Sequence, residues 1–198
     1  CVMEFPGRGR DQVRGLDGKR RTRWSVVRNT NKMLEDTTIK TFFQWLPPAY
    51  FGRYTSNDHR YVIKAFPECE IEILFRALDR PDHVKNLLSL DLTGAWVNEA
   101  REIPWALIEA LMGRVGRYPA KIDGGCTWSG IWLDTNPPET DSKWYEFFEE
   151  ENWRADFDEL KRAGTLPPGI DDPEDYAKIF KQPSGLAPDA ENLPNLQT

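Results

Sequence analysis

The chain has 198 residues, 39% of them apolar and 29% charged, with 8 Trp and a formal net charge of -6. That length suits one domain with enough chain to bury a real core, and the composition excludes global disorder. The acidic balance excludes a basic footprint over the whole chain, so any grip on nucleic acid must be local. No run of about 18 apolar residues offers a membrane span.

The start of the chain lacks the charged-then-apolar pattern of a secretory leader. Its first residue, Cys1, suggests a piece of something longer. Cys1, Cys69 and Cys126 are far apart and form no Cys-x-x-Cys pair, and His59 and His83 are the only histidines. Neither a disulfide framework nor a zinc site is indicated, which fits a reducing cytoplasm.

In chain order, Cys1 to Thr22 sets Gly7, Gly9, Gly15 and Gly18 among Arg and Lys residues and reads as an exposed basic loop. It does not read as a phosphate loop. Gly18-Lys19-Arg20 lacks the Ser or Thr that must follow the Lys to hold Mg²⁺, and no Gly stands at the Walker A spacing. Arg23 to Arg28 reads as a buried strand. Asn29, Thr30 or Asn31 can cap the following helix, on which Leu34, Thr38, Phe42 and Trp45 share a face until Pro47-Pro48 stops it. Tyr54 to Asp58 reads as a polar turn. Tyr61 to Phe66 and Cys69 to Ala77 read as a hairpin, and Asp79-Arg80-Pro81-Asp82 opens a short helix carrying Val84, Leu87 and Leu88.

The apolar run from Leu92 ends abruptly in Asn98 and Glu99, and Pro104 then opens a helix (Trp105, Leu107, Ile108, Leu111) that runs to Gly113. A strand thus delivers a carboxylate to its carboxyl tip. Ligands of open α/β sheets bind there, and a Glu so placed can meet a substrate or a metal-held water. The same pattern also fits an Asn and a Glu that only cap the next helix. Past that helix lies Gly-Arg114-Val-Gly-Arg117-Tyr-Pro, and Thr127 to Leu133 forms another apolar strand ending in Asp134, Thr135 and Asn136. On neighbouring parallel strands the two polar tips would face one crevice. Asn152 to Thr198 is rich in Pro, Gly and acids and reads as a mostly irregular arm with one short helix near Pro173 to Phe180.

Several phrases in one order resemble the ATPase domain of a tailed-phage terminase large subunit: Val-Val-Arg28-Asn-Thr, Phe75-Arg-Ala-Leu-Asp79, Trp-Val-Asn98-Glu99-Ala-Arg-Glu-Ile, Gly-Arg114-Val-Gly-Arg117-Tyr-Pro and Asp134-Thr-Asn136-Pro-Pro. The resemblance runs from about Trp24 to Tyr145. Gln182-Pro-Ser-Gly and Ala190-Glu-Asn-Leu look like the link toward that family's nuclease domain. The fold implied is α/β, a P-loop NTPase-type mainly parallel sheet with flanking helices, incomplete at its N-terminus because the family places the Walker A loop just upstream. The implied division is a partial motor domain over 1–150 and an arm over 151–198.

The resemblance puts Asn98-Glu99 at the Walker B tip, where family members commonly carry Asp-Glu. Glu99 would polarise the water that attacks the γ-phosphate of ATP, and Asn98 would contribute to Mg²⁺ only through a bound water. Thr135 and Asn136 match the coupling motif that senses the γ-phosphate. Arg80, Lys85, Arg114 and Arg117 are the candidates for the transition-state cation, and each also reads as a solvated surface charge or a helix C-terminal cation.

The implied activity is ATP hydrolysis that drives double-stranded DNA into a procapsid in the host cell cytoplasm. The implied partners are a portal protein, a small terminase subunit and further copies in a ring, with no membrane. The chain by itself is expected to be inactive and to bind ATP without useful affinity, since no phosphate loop is read in it. A helicase-like P-loop motor, or a non-catalytic remnant that binds DNA or the portal, are the competing readings.

Overall fold

The computed structural model describes residues 12–78, 81–166 and 170–181. Its centre is one six-stranded sheet in the order β2-β3-β4-β1-β5-β6, built from β1 (Arg20–Arg28), β2 (Gly52–Thr55), β3 (Arg60–Ile63), β4 (Cys69–Ala77), β5 (Gly94–Asn98) and β6 (Gly130–Asp134). Strands β4, β1, β5 and β6 run parallel, while β2 and β3 pair antiparallel at one side. The parallel centre explains the near-continuous apolar run of β1. From Trp24 to Arg28 every residue is buried, as expected for a strand covered on both faces.

Between β1 and β2 the chain runs through α1 (Asn31–Met33), a π-helical stretch (Leu34–Ile39), α2 (Lys40–Trp45) and α3 (Pro48–Phe51). Thr30 caps α1, its hydroxyl accepting from the Met33 amide. The π stretch, in which Thr37 donates back to the Met33 carbonyl over 2.6 Å, winds wider than an α-helix and rotates the face that α2 presents. The buried face therefore passes from Leu34, Thr38 and Ile39 to Phe42, Phe43 and Leu46, and Trp45 is 80% exposed instead of sharing it. Phe42 and Phe43 meet Phe75 and Tyr61 edge-to-face over the sheet, an arrangement that adds to their burial energy.

The segment expected as a turn from Tyr54 pairs earlier than the sequence suggested. Gly52 to Thr55 forms β2 against β3, and only Ser56 to His59 turns. The β3–β4 hairpin stands as expected, with Tyr61 opposite Ile73. Helix α4 (Pro81–Leu88) links β4 to β5, and α5 (Trp105–Met112) follows β5 with Pro104 and Gly113 at its two ends.

The chain divides into two compact units, Cys1–Pro138 and Glu139–Thr198. The second contains α6 (Lys143–Phe148), α7 (Trp153–Ala163) and α8 (Pro173–Tyr176). Helix α7 corrects the irregular reading of that segment. Its charged surface hides an apolar pair at helical spacing, Trp153 and Phe157, both buried, with Tyr176 of α8 5.8 Å from the Phe157 ring. Gly164 ends α7 in the left-handed conformation. No helix among the described residues is long and apolar enough to cross a membrane. The terminal phrases from Gln182 onward lie outside the described residues.

Candidate active site at the strand tips

Parallel pairing brings the carboxyl ends of β1, β5 and β6 side by side. Val27 is opposite Val97 and Asn98 is opposite Asp134, so Arg28, Asn98 and Asp134 end three adjacent strands. The two polar tips read from the sequence share one end of the sheet.

Asp134 is the hub of that end. Its Oδ1 accepts from the Asn98 side-chain amide at 2.8 Å and from the Glu99 backbone N–H at 3.2 Å, and its Oδ2 accepts from the Trp96 indole. Asn98 is held from the other side as well, its Oδ1 accepting from the buried Thr38 hydroxyl at 2.9 Å. Both ends of the Asn98 amide are thus occupied by protein partners.

These bonds hold the chain at Glu99 in the left-handed region, φ 53° and ψ 55°. A residue with a Cβ rarely adopts that conformation, which costs about 1–2 kcal/mol, and such strain concentrates where a site needs a side chain aimed. The turn ends β5 and swings into a short 3-10 segment (Ala100–Glu102) ahead of α5. Asn136 then donates from its side-chain amide to Glu99 Oε2 at 3.3 Å, and the Arg101 backbone N–H points to the Thr135 hydroxyl at 3.4 Å. Arg101 further donates to the Pro137 carbonyl at 3.0 Å, which fastens the loop after β6 to the loop after β5. Glu99, Thr135 and Asn136 are brought together.

Arg28 is a buried cation at this end, 4% exposed. It donates to the Asn98 carbonyl at 3.2 Å and lies 3.5 Å from a Glu102 carboxylate oxygen, while its Nε has no partner. Its partner carboxylate comes from the short segment that follows β5. Sequence reasoning passed over Thr38, and it read Asp134 as part of the second polar tip without giving it a role of its own. Asp134 carried a signal, as the first polar residue after an apolar strand. Thr38 carried none, because it read as one member of a helix face.

The candidate cations among the described residues do not converge at the strand tips. Arg114 lies at the amino end of β5, donating to the Leu90 carbonyl at 2.8 Å and to Asp91 at 3.0 Å, and the Arg117 amide bonds to Leu92 O. Five residues of strand, spanning roughly 13 Å, separate that end from Glu99 within the chain. Lys85 sits exposed on α4, and Arg80 lies outside the described residues. The described part of the basic loop is also at the amino end of the sheet. There Arg14 and Arg20 pair with Glu68, and Arg21 pairs with Asp17, holding that carboxyl down at about 2.

No protein-family model and no curated protein matches the chain. Solved structures do. The large terminase of a thermophilic bacteriophage superposes with a TM-score of 0.51 at 15% identity, covering 84% of this chain. The chain has the fold of part of that large terminase. It spans 39% of that terminase's own length. A structure of the same terminase in complex with ADP gives a TM-score of 0.48 at 13% identity over 84% of this chain and 39% of that one. The large terminase ATPase domain of Thermus phage P74-26 gives 0.38 at 20% identity over 66% and 52%. The mixed sheet, mostly parallel and flanked by helices, is the terminase-like architecture read from the sequence.

Proposed function

We propose that this chain is the motor part of a viral DNA-packaging terminase, hydrolysing ATP to drive double-stranded DNA into a procapsid. The observation that carries the reading is Glu99. Its carboxylate projects from a strained strand tip, is met by Asn136 from the loop after the neighbouring parallel strand, and stands at the end of an α/β sheet where ligands bind. In that role Glu99 holds and polarises the attacking water, and Asn136 and Thr135 tie its position to the loop after β6.

The donor set fits Mg²⁺ delivered on nucleotide phosphates. Mg²⁺ keeps several waters and uses one or two carboxylates together with substrate phosphates. The tips supply two carboxylates, Glu99 and Asp134, and among the described residues no group of three His, Cys, Asp or Glu could cage a metal by protein alone. Asp134 and, through a water, Asn98 Oδ1 would hold the ion, which when bound neutralises charge developing on the phosphates. The transition-state cation belongs to Arg80, Lys85, Arg114 or Arg117. The placement of the last two at the far end of the sheet favours action across a boundary between copies in a ring. A portal protein and a small terminase subunit complete the assembly, which works in the host cytoplasm.

The competing reading is a binding module without hydrolysis. It draws on Asn98, whose amide already meets Thr38 and Asp134 and brings no charge to a metal. Steady-state ATP hydrolysis by the full-length protein, measured with and without linear duplex DNA, separates the two. DNA-stimulated turnover supports the motor. Nucleotide-independent DNA binding with no turnover supports the module.

A further inference from the structure

The β2–β3–β4 side of the sheet has two faces of opposite character. Tyr61 and Ile63 point into the core beneath α2 and α3, together with Ile71, Ile73 and Phe75. The alternate residues, Arg53, Thr55, Arg60, Val62 and Lys64, point the other way and with Glu70 line a shallow open concavity of about 460 Å³. The register makes this a compact array. Arg53 is directly opposite Val62 and Thr55 is opposite Arg60, and Lys64 prolongs the ladder by donating its backbone N–H to the Phe51 carbonyl at 2.9 Å. Arg60 and Lys64 are four residues apart, roughly 13 Å along the ladder, with Arg53 beside the midpoint between them.

Two cations on this face, Arg53 and Lys64, are uncommitted, while Arg60 is paired and Glu70 adds one carboxylate to the lining. Arg60 shares Glu72 with Arg23, but neither Arg53 nor Lys64 meets an acidic partner among the described residues. On a chain of net charge -6, a row of cations that a folded sheet holds in fixed positions and leaves open to solvent is a local anion surface. Its chemistry narrows the anion. Among the described residues no aromatic ring lines this concavity, so it offers no platform on which unstacked bases of a single strand could lie. Among the described residues its lining is drawn from strands and their ends and includes no helix, so nothing there enters a groove to read base edges. What remains is a set of phosphate contacts, which position a duplex without reading it.

We propose that this face grips the phosphate backbone of double-stranded DNA independently of sequence, with Arg53, Arg60 and Lys64 as the contacting cations. The proposal deepens the motor reading and rests on it only for the choice of DNA over RNA. Arg53 and Lys64 are exposed, so replacing them leaves the core untouched.

The test is fluorescence anisotropy of a mixed-sequence DNA duplex with the full-length protein across a salt series, with Arg53→Gln/Lys64→Gln as the variant and circular dichroism as the check on folding. Two lost phosphate contacts lower the slope of log affinity against log salt by about 2 and weaken binding tenfold or more at low salt. A slope and affinity unchanged in the double variant overturn the proposal. So does tighter binding of a single strand of equal length, or displacement of the duplex by polyglutamate at matched charge, which would mark a protein-binding face. Glu99→Gln separates the two readings: if turnover is absent in every form while the double variant still loses the slope, the motor reading falls and the DNA face stands.

Discussion

Asn98 on β5 and Asp134 on β6 occupy one register position, and the Asn98 side-chain amide donates to the Asp134 carboxylate at 2.8 Å. The negative charge of this pair is therefore on β6, one strand over from where the resemblance leads one to look for it. A carboxylate at both positions would place like charges in contact, which raises one of the two pKa values strongly. The pair has room for one charge.

That geometry predicts the behaviour of an exchange. Asn98→Asp alone creates the like-charge contact and lowers stability by about 1–3 kcal/mol. Because its raised pKa exceeds the unfolded value, the loss grows as pH rises through the carboxylate range and is absent at acid pH. Asp134→Asn alone leaves Asn98 facing a second amide and weakens the hold on the Glu99 backbone. The double variant Asn98→Asp/Asp134→Asn restores one donor facing one acceptor. Denaturant titrations of all four forms at neutral pH are expected to give a favourable coupling of about 1–3 kcal/mol. Additive losses would mean that the hydrogen bond is incidental.

Much of this end of the molecule was readable beforehand, for a physical reason. A change from apolar to polar at Val97-Asn98 marks where buried β5 leaves the core, the same change at Leu133-Asp134 ends the half-buried β6, and tips of adjacent parallel strands must lie together. What was not readable depended on events outside local pattern. The π stretch at Leu34–Ile39 displaced Trp45 from the face its spacing assigned and brought Thr38 to Asn98, which no α-helical periodicity foretells. Strand β2 was hidden by its polar residues, since Arg53 and Thr55 face solvent in an antiparallel ladder. Helix α7 was hidden by charge, with only Trp153 and Phe157 fully buried in 11 residues. Arg114 and Arg117 follow the Glu99 segment closely in sequence, yet α5 carries the chain back to the opposite end of the sheet.

The left-handed conformation at Glu99 makes a separable prediction about stability. Glycine adopts φ 53° without steric penalty, so Glu99→Gly is expected to stabilise the fold by about 1 kcal/mol while removing the carboxylate. Urea unfolding of the two forms measures it. A variant less stable than the parent would show that the Asn136 contact outweighs the backbone strain.

Glu72 governs acid stability of the same sheet. Burial alone would push its carboxyl up, but the guanidinium groups of Arg23 and Arg60 outweigh that and hold it below the ordinary value of 4.5. A depressed carboxylate contributes stability that is present above the unfolded pKa and is lost as pH falls through the folded one. Glu72→Gln is thus expected to cost about 1.5–3 kcal/mol at pH 7, with the difference closing below pH 4 as the native carboxyl protonates. Thermal melts of both forms from pH 7 down to pH 3 follow the convergence. A constant difference across that range would contradict the ionic account of this node.

The measurement that bears most directly on the central claim is a paired one on the full-length protein carrying Glu99→Gln: calorimetric binding of Mg-ATP and steady-state turnover on the same preparation. The amide keeps the size of the side chain and can still meet Asn136, but it cannot act as a base. Binding is expected to stay within a few-fold of the parent while turnover drops by about 10²-fold or more, the usual cost of losing a positioned base. Turnover near the parent level, with binding intact, would remove Glu99 from the chemistry and with it the reading of these strand tips as an ATPase site.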